Sequence, residues 1–376
     1  MPLPPLVEPV EELSPAERRR TARHARLAGF GDLGQRRLRA AHVAVVGAGG
    51  LGSPVVLALA AAGVGTLTII DDDDVEISNL QRQVIHRATD AGKPKTASVT
   101  RVAADLSPET VVHAVRERLD RDNAERILAG AHLVIDGTDT FATRTAVAGA
   151  CESLGIPLVW GTVQGFDAQA TVFWSAPPAG VPSLRLADLY PEESVGELPT
   201  CADVGVLGAF CLQVGSLLAT EAIKLITGIG EPLLGRVLVL DALRSRQREV
   251  PLRPAGARGV APAHAPAKRA AARLLTAAEA LSARDAGATL LDVRDPSETA
   301  TGVVAGSLAI PLPSLLDDLD APGGGPVVVI CSRGVRARTA ADALRARGVD
   351  ASVLAGGLSA WPELLETGRE APTAVL

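Results

Sequence analysis

The chain has 376 residues, of which 47% are hydrophobic and 21% charged, and its formal net charge is −6. That length allows two domains or one large one with a sizeable core, and the mild acidity excludes broad nucleic-acid binding and a basic membrane-surface patch. The four cysteines, Cys151, Cys201, Cys211 and Cys331, form no CxxC pair, which excludes a disulfide framework and a thiolate zinc site.

The amino terminus, MPLPPLVEPVEELSPAERRR, sets prolines and glutamates where a secretory signal needs a basic and then an apolar run. Together with unpaired thiols this predicts a cytoplasmic protein. Residues 43–70 carry no charged side chain, yet Pro54 and the glycines argue against a membrane span. HVAVVGA, a glycine turn, an alanine-rich helix and TLTII are expected instead to form a buried βαβ unit. AHLVIDGTD and IPLVWGTV predict further buried strands, each introduced by a helix, hence a mostly parallel, Rossmann-like α/β sheet.

After Trp160 the pattern changes. AQATVFWS and RVLVLDAL flank a helix expected at about 204–227, so the sheet is mixed and ends in antiparallel strands. A long proline- and glycine-bearing loop, about 176–203, lies between them and is of a length that is usually either functional or disordered. Residues 251–272, rich in Ala, Pro and Gly, predict a linker between a first domain, 1–250, and a smaller α/β domain, 273–376. In the second domain ATLLDVRD, PVVVICSRG and ASVLAGG supply strands and AADALRARG a helix.

GAGGLG contains GxGxxG at Gly47, Gly49 and Gly52, a turn that presents backbone N–H groups to a phosphate at a helix start. Asp71 or Asp73 follows where a nicotinamide dinucleotide would place its ribose, so this motif alone leaves the nucleotide open. The next segment, DDDDVEISNLQRQ, adds Ser78, Asn79, Arg82 and Gln83, and GKPK adds Lys95. Hydride transfer wants an apolar pocket at this point. A triphosphate undergoing cleavage wants cations, and a carboxylate for magnesium.

In this order and spacing, GAGGLG, DDDDVEISNLQRQ, GKPK and DGTD resemble the adenylating domain of the MoeB/ThiF family, bacterial relatives of ubiquitin-activating enzymes, from Arg20 to Arg248. The resemblance implies that ATP is held by Gly47, Gly49, Gly50 and Gly52, with Asp71 on its ribose and Asp73 nearby. Asn79, Arg82 and Lys95 would contact the phosphates, within a site that includes Ser78, Leu80, Gln81 and Thr138. Asp139 would hold Mg²⁺, and Arg23 would reach across a homodimer into the partner's site. The substrate implied is the C-terminal glycine of a small ubiquitin-like sulfur carrier ending in Gly-Gly, of the MoaD/ThiS kind. Many members bind zinc through two CxxC pairs. Here those regions read PAGVPSLR and PLRPAGARG, so zinc is not expected.

Cys331 follows a buried strand and opens a helix, where oriented N–H groups favour a thiolate. The run Cys331, Ser332, Arg333, Gly334, Val335 and Arg336, with LLDVRD before and LAGGLSAW after, resembles a rhodanese domain. That implies a persulfide on Cys331, and Arg333 and Arg336 suggest an anionic sulfur donor such as thiosulfate. Asp292 and Arg294 are expected to brace the loop. Cys201, where the long loop meets a helix, is a candidate for resolving an acyl disulfide; Cys151 and Cys211 are expected in the core. The histidines, His42, His86, His113 and His132 among them, show no HExxH or HxH spacing, so no metal centre is expected from them.

The whole arrangement resembles the fused MoeB–rhodanese proteins: adenylation of the carrier, then sulfur transfer from Cys331 to give a C-terminal thiocarboxylate. Its rivals are an adenylating enzyme whose sulfur comes from a separate desulfurase, beside a vestigial rhodanese domain, and a nucleotide-sensing scaffold that binds carriers without activating them.

Overall fold

The computed structural model describes residues 3–191, 205–254, 272–317 and 325–366. The chain divides into two compact units, Met1–Ala261 and Pro262–Leu376. Cys201 and most of the expected linker, residues 255–271, lie outside the described residues.

In the first unit, helices α1 (Pro15–Arg20) and α2 (Gly31–Ala40) precede the sheet. Ser14 starts α1 by accepting a hydrogen bond from the Glu17 N–H, with proline at the first helical position. The predicted βαβ unit forms as β1 (His42–Val46), α3 (Gly52–Ala62) and β2 (Thr66–Ile70), the two strands parallel with Val46 opposite Ile70. Then come α4 (Lys95–Leu106), β3 (Val111–Val115), α5 (Ala124–Leu128), β4 (Leu133–Asp136), α6 (Phe141–Leu154) and β5 (Leu158–Gln164). The unit closes with β6 (Asp167–Phe173), α7 (Leu186–Leu189), α8 (Gly208–Thr227), β7 (Arg236–Asp241) and β8 (Arg246–Pro251).

The sheet runs β3-β2-β1-β4-β5-β6-β7-β8, parallel through β5 and antiparallel beyond it, as the change of pattern after Trp160 requires. Strands β1, β2 and β4 bury residues on both faces, which is why they appear in the sequence as unbroken apolar runs. One core lies against α3 and α8, the other against α6, where Trp160 is fully buried. Helix α8 is long and apolar enough to cross a membrane, but Phe210, Val214, Leu218 and Leu225 are packed in the first core. It starts at Gly208, a little later than expected. The edge strands β3 and β8 escape sequence reading because they are largely exposed and carry no apolar alternation.

The second unit holds β9 (Leu274–Leu275), α9 (Ala277–Asp285), β10 (Thr289–Asp292), α10 (Pro296–Thr299), β11 (Val303–Val304), β12 (Leu308–Ala309) and α11 (Leu312–Asp317). It continues with β13 (Val327–Ile330), α12 (Val335–Ala346), β14 (Ala351–Leu354) and β15 (Leu365–Glu366). Its main sheet, β12-β10-β13-β14-β9, is parallel throughout. Thr276 and Glu279 form a reciprocal capping box that starts α9. Leu291, Val329, Ala341 and Leu344 fill the core between β10, β13 and α12, so this unit carries its own apolar interior.

Candidate active site

The strand order of the first unit reverses between β1 and β4, and in open α/β sheets the carboxyl ends of strands at such a point leave a crevice. A cleft of about 260 Å³ opens there, bordered by Val46 at the end of β1, Ile70 at the end of β2 and Gly137 beyond β4. The glycine loop turns into α3 on one wall. Gly47 has φ +90°, and a Cβ on Gly52 would lie 1.8 Å from the Gly47 carbonyl oxygen. Gly52 thus serves the turn by close packing and does not line the cleft, whereas Gly47, Gly49 and Gly50 do. In the first turn of α3 Ser53 and Val55 already donate to the carbonyls of Gly49 and Leu51, and Pro54 has no N–H, so what this wall offers an anion is the glycine-loop backbone and the positive end of the helix dipole.

Asp71, at the end of β2, anchors the loop: its Oδ2 accepts from the Ala48 N–H at 2.7 Å. Burial pushes its carboxyl upward in pKa, opposed by Lys95 and by the N–H groups of Ala48 and Asp73. Lys95, at the start of α4, is itself buried and donates to Asp73 at 2.7 Å. Asp72 and Asp74 pair with Arg118 and Arg116 at the strand ends. Carboxylate oxygens of Asp71, Asp72 and Asp73 all lie within 4.8 Å of one another.

The SNLQRQ segment coils from a 3-10 turn over Ile77–Asn79, and the N–H groups of both Arg82 and Gln83 donate to the Asn79 carbonyl. Residues three and four apart then share a face, so Asn79, Arg82 and Gln83 line the cleft while Ser78, Leu80 and Gln81 do not. Ser78, Leu80 and Gln81, expected in the site, are therefore not among the residues bordering this cleft, whereas Gln83, also singled out in the sequence, is. Arg82 donates to Asn79 Oδ1 at 2.8 Å.

On the opposite wall Thr138 and Asp139 also line the cleft. They are held by two residues to which sequence reading assigns no role. Asp136 Oδ1 accepts from the N–H and hydroxyl of Thr138 at 2.9 and 2.7 Å, and Arg144 donates to the Thr138 carbonyl at 2.8 Å. Full burial pushes the Asp136 carboxyl up, with Arg144 opposing. Asp136 was legible as the end of a buried strand, but only its hydrogen bonds distinguish it from a charged turn residue. Arg23 is exposed and is not part of this cleft's wall. Cys151 is buried, its thiol pushed up by desolvation. Cys211 is also buried, yet it lines the cleft beneath the glycine loop, 3.2 Å from where a Cβ on Gly50 would stand.

In the second unit Cys331 lies directly after β13, and only 1% of it is exposed. Its Sγ accepts from the N–H groups of Gly334 and Ala337 at 3.1 and 3.4 Å, a clamp suited to sulfur carrying negative charge. The Gly-Gly-Leu turn closes over the loop: the N–H of Leu358 donates to the Cys331 carbonyl at 2.9 Å and that of Ser359 to the Ser332 carbonyl at 2.8 Å. A Cβ on Gly357 would sit 2.5 Å from the Gly334 nitrogen, so the turn admits no side chain there. Asp292 and Arg294 form a buried pair at 2.7 Å, and Arg294 also donates to the Gly302 carbonyl.

Arg336 is engaged by carboxylates. Its two Nη atoms donate to Glu298 at 2.5 and 2.7 Å, Asp295 stands 3.2 Å away, and Ser332 also donates to Glu298. Hydrogen bonds from Arg336 above all hold the Glu298 carboxyl down at about 2. The positive charge expected from Arg336 at the loop mouth is therefore balanced by Glu298, a residue that sequence reading missed because it lies in a four-residue helix far from the cysteine in the chain. Arg333 is exposed.

A phosphate-binding turn at the switch point of a mixed α/β sheet, faced by cations and carboxylates, defines a nucleotide-dependent protein, and the second unit adds a clamped cysteine to it. The ThiF family profile matches residues 21–258 and the rhodanese-like domain profile residues 276–364. The chain belongs to the ThiF family and carries a rhodanese-like domain in the same polypeptide.

It is 42% identical to a probable adenylyltransferase/sulfurtransferase, MoeZ, of Mycobacterium tuberculosis, over 97% of each chain. It is 36% identical to the adenylyltransferase and sulfurtransferase MOCS3-2 of Zea mays, over 91% of this chain and 78% of that one. The SAMP-activating enzyme E1 of Haloferax volcanii is 43% identical over 62% of this chain and 85% of its own. Among solved structures, E. coli MccB with MccA superposes with a TM-score of 0.55 at 21% identity, covering 65% of this chain and 73% of that one, which bears on the fold alone.

Proposed function

We propose that this chain is an adenylyltransferase and sulfurtransferase acting on the C-terminal glycine of a small ubiquitin-like sulfur carrier that ends in Gly-Gly. The observation that carries this reading is the convergence of Arg82, Lys95 and Asp139 on the glycine-loop cleft in a chain that also holds the N–H-clamped Cys331.

ATP lies with its phosphates along Gly49 and Gly50 and its ribose at Asp71. The carrier carboxylate attacks the α-phosphorus, and the bond to pyrophosphate breaks. Arg82 and Lys95 offset the charge on the departing group, Lys95 leaving Asp73 to do so. Asp139 suits Mg²⁺, a hard cation that prefers carboxylate and phosphate oxygen and supplies charge neutralisation when bound. The partner's Arg23 completes the site in a homodimer, consistent with the exposure of Arg23 here.

The Cys331 thiolate attacks the sulfane sulfur of a donor, thiosulfate being the simplest anionic one; the donor's S–S bond breaks, sulfite leaves, and Cys331 carries a persulfide. The outer sulfur attacks the acyl adenylate, forming an acyl disulfide and expelling AMP. A second thiol, proposed to be Cys201, then attacks Cys331 Sγ. The carrier thiocarboxylate leaves, and a Cys201–Cys331 disulfide remains for an external thiol to reduce. Joining both units in one chain raises the effective concentration of the persulfide near the adenylate. The free thiols of Cys151 and Cys331 fit a cytoplasmic setting.

The test is the intact mass of a Gly-Gly carrier after incubation with this protein, Mg-ATP, thiosulfate and a reductant. The expected result is a gain of about 16 mass units as oxygen is replaced by sulfur in the activated acyl group. Absence of both that gain and carrier-dependent pyrophosphate release overturns the reading.

A further inference from the structure

His86 is a buried titratable side chain to which neither half-reaction gives a role. It lies just beyond the SNLQRQ turn, and its two ring nitrogens join separate parts of the nucleotide cleft. Nε2 is 3.0 Å from the Ala48 carbonyl oxygen, and Nδ1 is 2.5 Å from Ser98 Oγ, which itself reaches the Lys95 carbonyl at 3.1 Å. A carbonyl only accepts, so Nε2 carries the hydrogen. Ala48 is thus held from two sides: its N–H by Asp71 and its carbonyl by His86. In a planar trans peptide the N–H stands opposite the carbonyl, so this contact turns the Gly49 N–H away from His86. The same ring ties the glycine loop to the first turn of α4, which carries Lys95.

The charged groups facing the imidazole are Lys95 and Arg101 on α4, and Asp90 in the turn before it, with Asp71 across Ala48. Asp90 is taken by Arg101 in two hydrogen bonds at 2.7 and 2.9 Å. Burial first, and the two cations with it, oppose a charge on the ring. Ser98 has one hydroxyl hydrogen for two acceptors: the neutral ring takes it at Nδ1, the shorter contact, whereas a second ring proton would add a positive charge beside Lys95 and turn that hydrogen to the Lys95 carbonyl.

We infer that His86, as the neutral Nε2–H tautomer, is a positioning residue for ATP: it sets the glycine loop in register with Lys95, and its protonation or removal weakens nucleotide binding. This rests on the ATP reading given above. Gln at this position keeps a donor for the Ala48 carbonyl without titrating, whereas Leu keeps only bulk.

Equilibrium binding of ATP, with no carrier present, and the pH profile of carrier-dependent pyrophosphate exchange are measured for wild type, H86L and H86Q in the full chain. H86L is expected to weaken ATP binding about tenfold, as for a buried acceptor left unpaired, with carrier KM changed less than about twofold; H86Q is expected to recover most of the loss. The acidic fall in wild-type kcat/KM for ATP is expected to be absent in H86Q. Unchanged ATP binding in H86L overturns this inference alone. So does a loss shared by ATP and carrier that H86Q does not repair, which marks a merely structural residue. Failure of the wild type to bind ATP overturns the nucleotide reading and this inference with it.

Discussion

Glu298 faces Arg336 with both guanidinium Nη atoms on its carboxylate, at 2.5 and 2.7 Å, and it takes the Ser332 hydroxyl as well. One acidic side chain from α10 thereby holds two residues of the Cys331 loop. Glu298→Gln keeps the shape and removes the charge, so sulfur loading of Cys331, followed by mass, is expected to slow about tenfold through loss of charge-assisted bonds that orient the loop.

The same contact makes stability depend on pH. The folded-state value of Glu298, about 2, lies below its ordinary 4.5, so its stabilisation is complete above pH 4.5 and disappears as pH falls towards 2. Denaturant unfolding of wild type and Glu298→Gln is expected to differ at pH 7 and to converge near pH 2. A difference that stays constant across this range overturns the assignment.

Cys331→Ala separates the half-reactions. Carrier-dependent pyrophosphate exchange is expected to remain within about twofold of wild type, because the first chemical step precedes the nucleophile. Thiocarboxylate formation from thiosulfate is expected to vanish. Survival of that product with a separate desulfurase would favour the reading in which the second unit is vestigial.

Arg82→Ala removes a cation from the cleft. Pyrophosphate exchange is expected to fall by about 10² to 10³, the scale of losing one group that stabilises developing charge. Initial-rate exchange assays check this, with circular dichroism to confirm folding.

Gly52→Ala is expected to disturb the turn, since the added Cβ meets the Gly47 carbonyl at 1.8 Å. Overpacking of this kind costs about 1–3 kcal/mol, and calorimetry of the full chain should show a lower Tm for the first unit.

The parallel half of the sheet was legible because β1, β2 and β4 are buried on both faces and so leave uninterrupted apolar runs. β8 was not, because RQREVP is exposed throughout and its strand conformation comes from pairing with β7. At the site, Gly47, Asp71, Asn79, Arg82 and Lys95 were singled out by their order along the chain and Asp139 by the family resemblance alone, and all six line one cleft. The residues pointed to Gln83 and the resemblance to Gln81, and only Gln83 borders the cleft, because the coil of a short turn decides which side chain faces it. Spacing could not identify Asp136, Arg144, Glu298 or His86, whose parts are defined by hydrogen bonds to groups on other elements.

The outermost strand has a consequence for self-association. β8 alternates Arg, Gln, Arg and Glu before ending on Pro251, which has no N–H to offer a further strand. Two copies brought edge to edge there would confront like-charged arginines and a missing donor, so lengthening of the sheet from chain to chain is disfavoured at this border. Growth of the sheet into a fibre therefore has no open strand to start from at this edge.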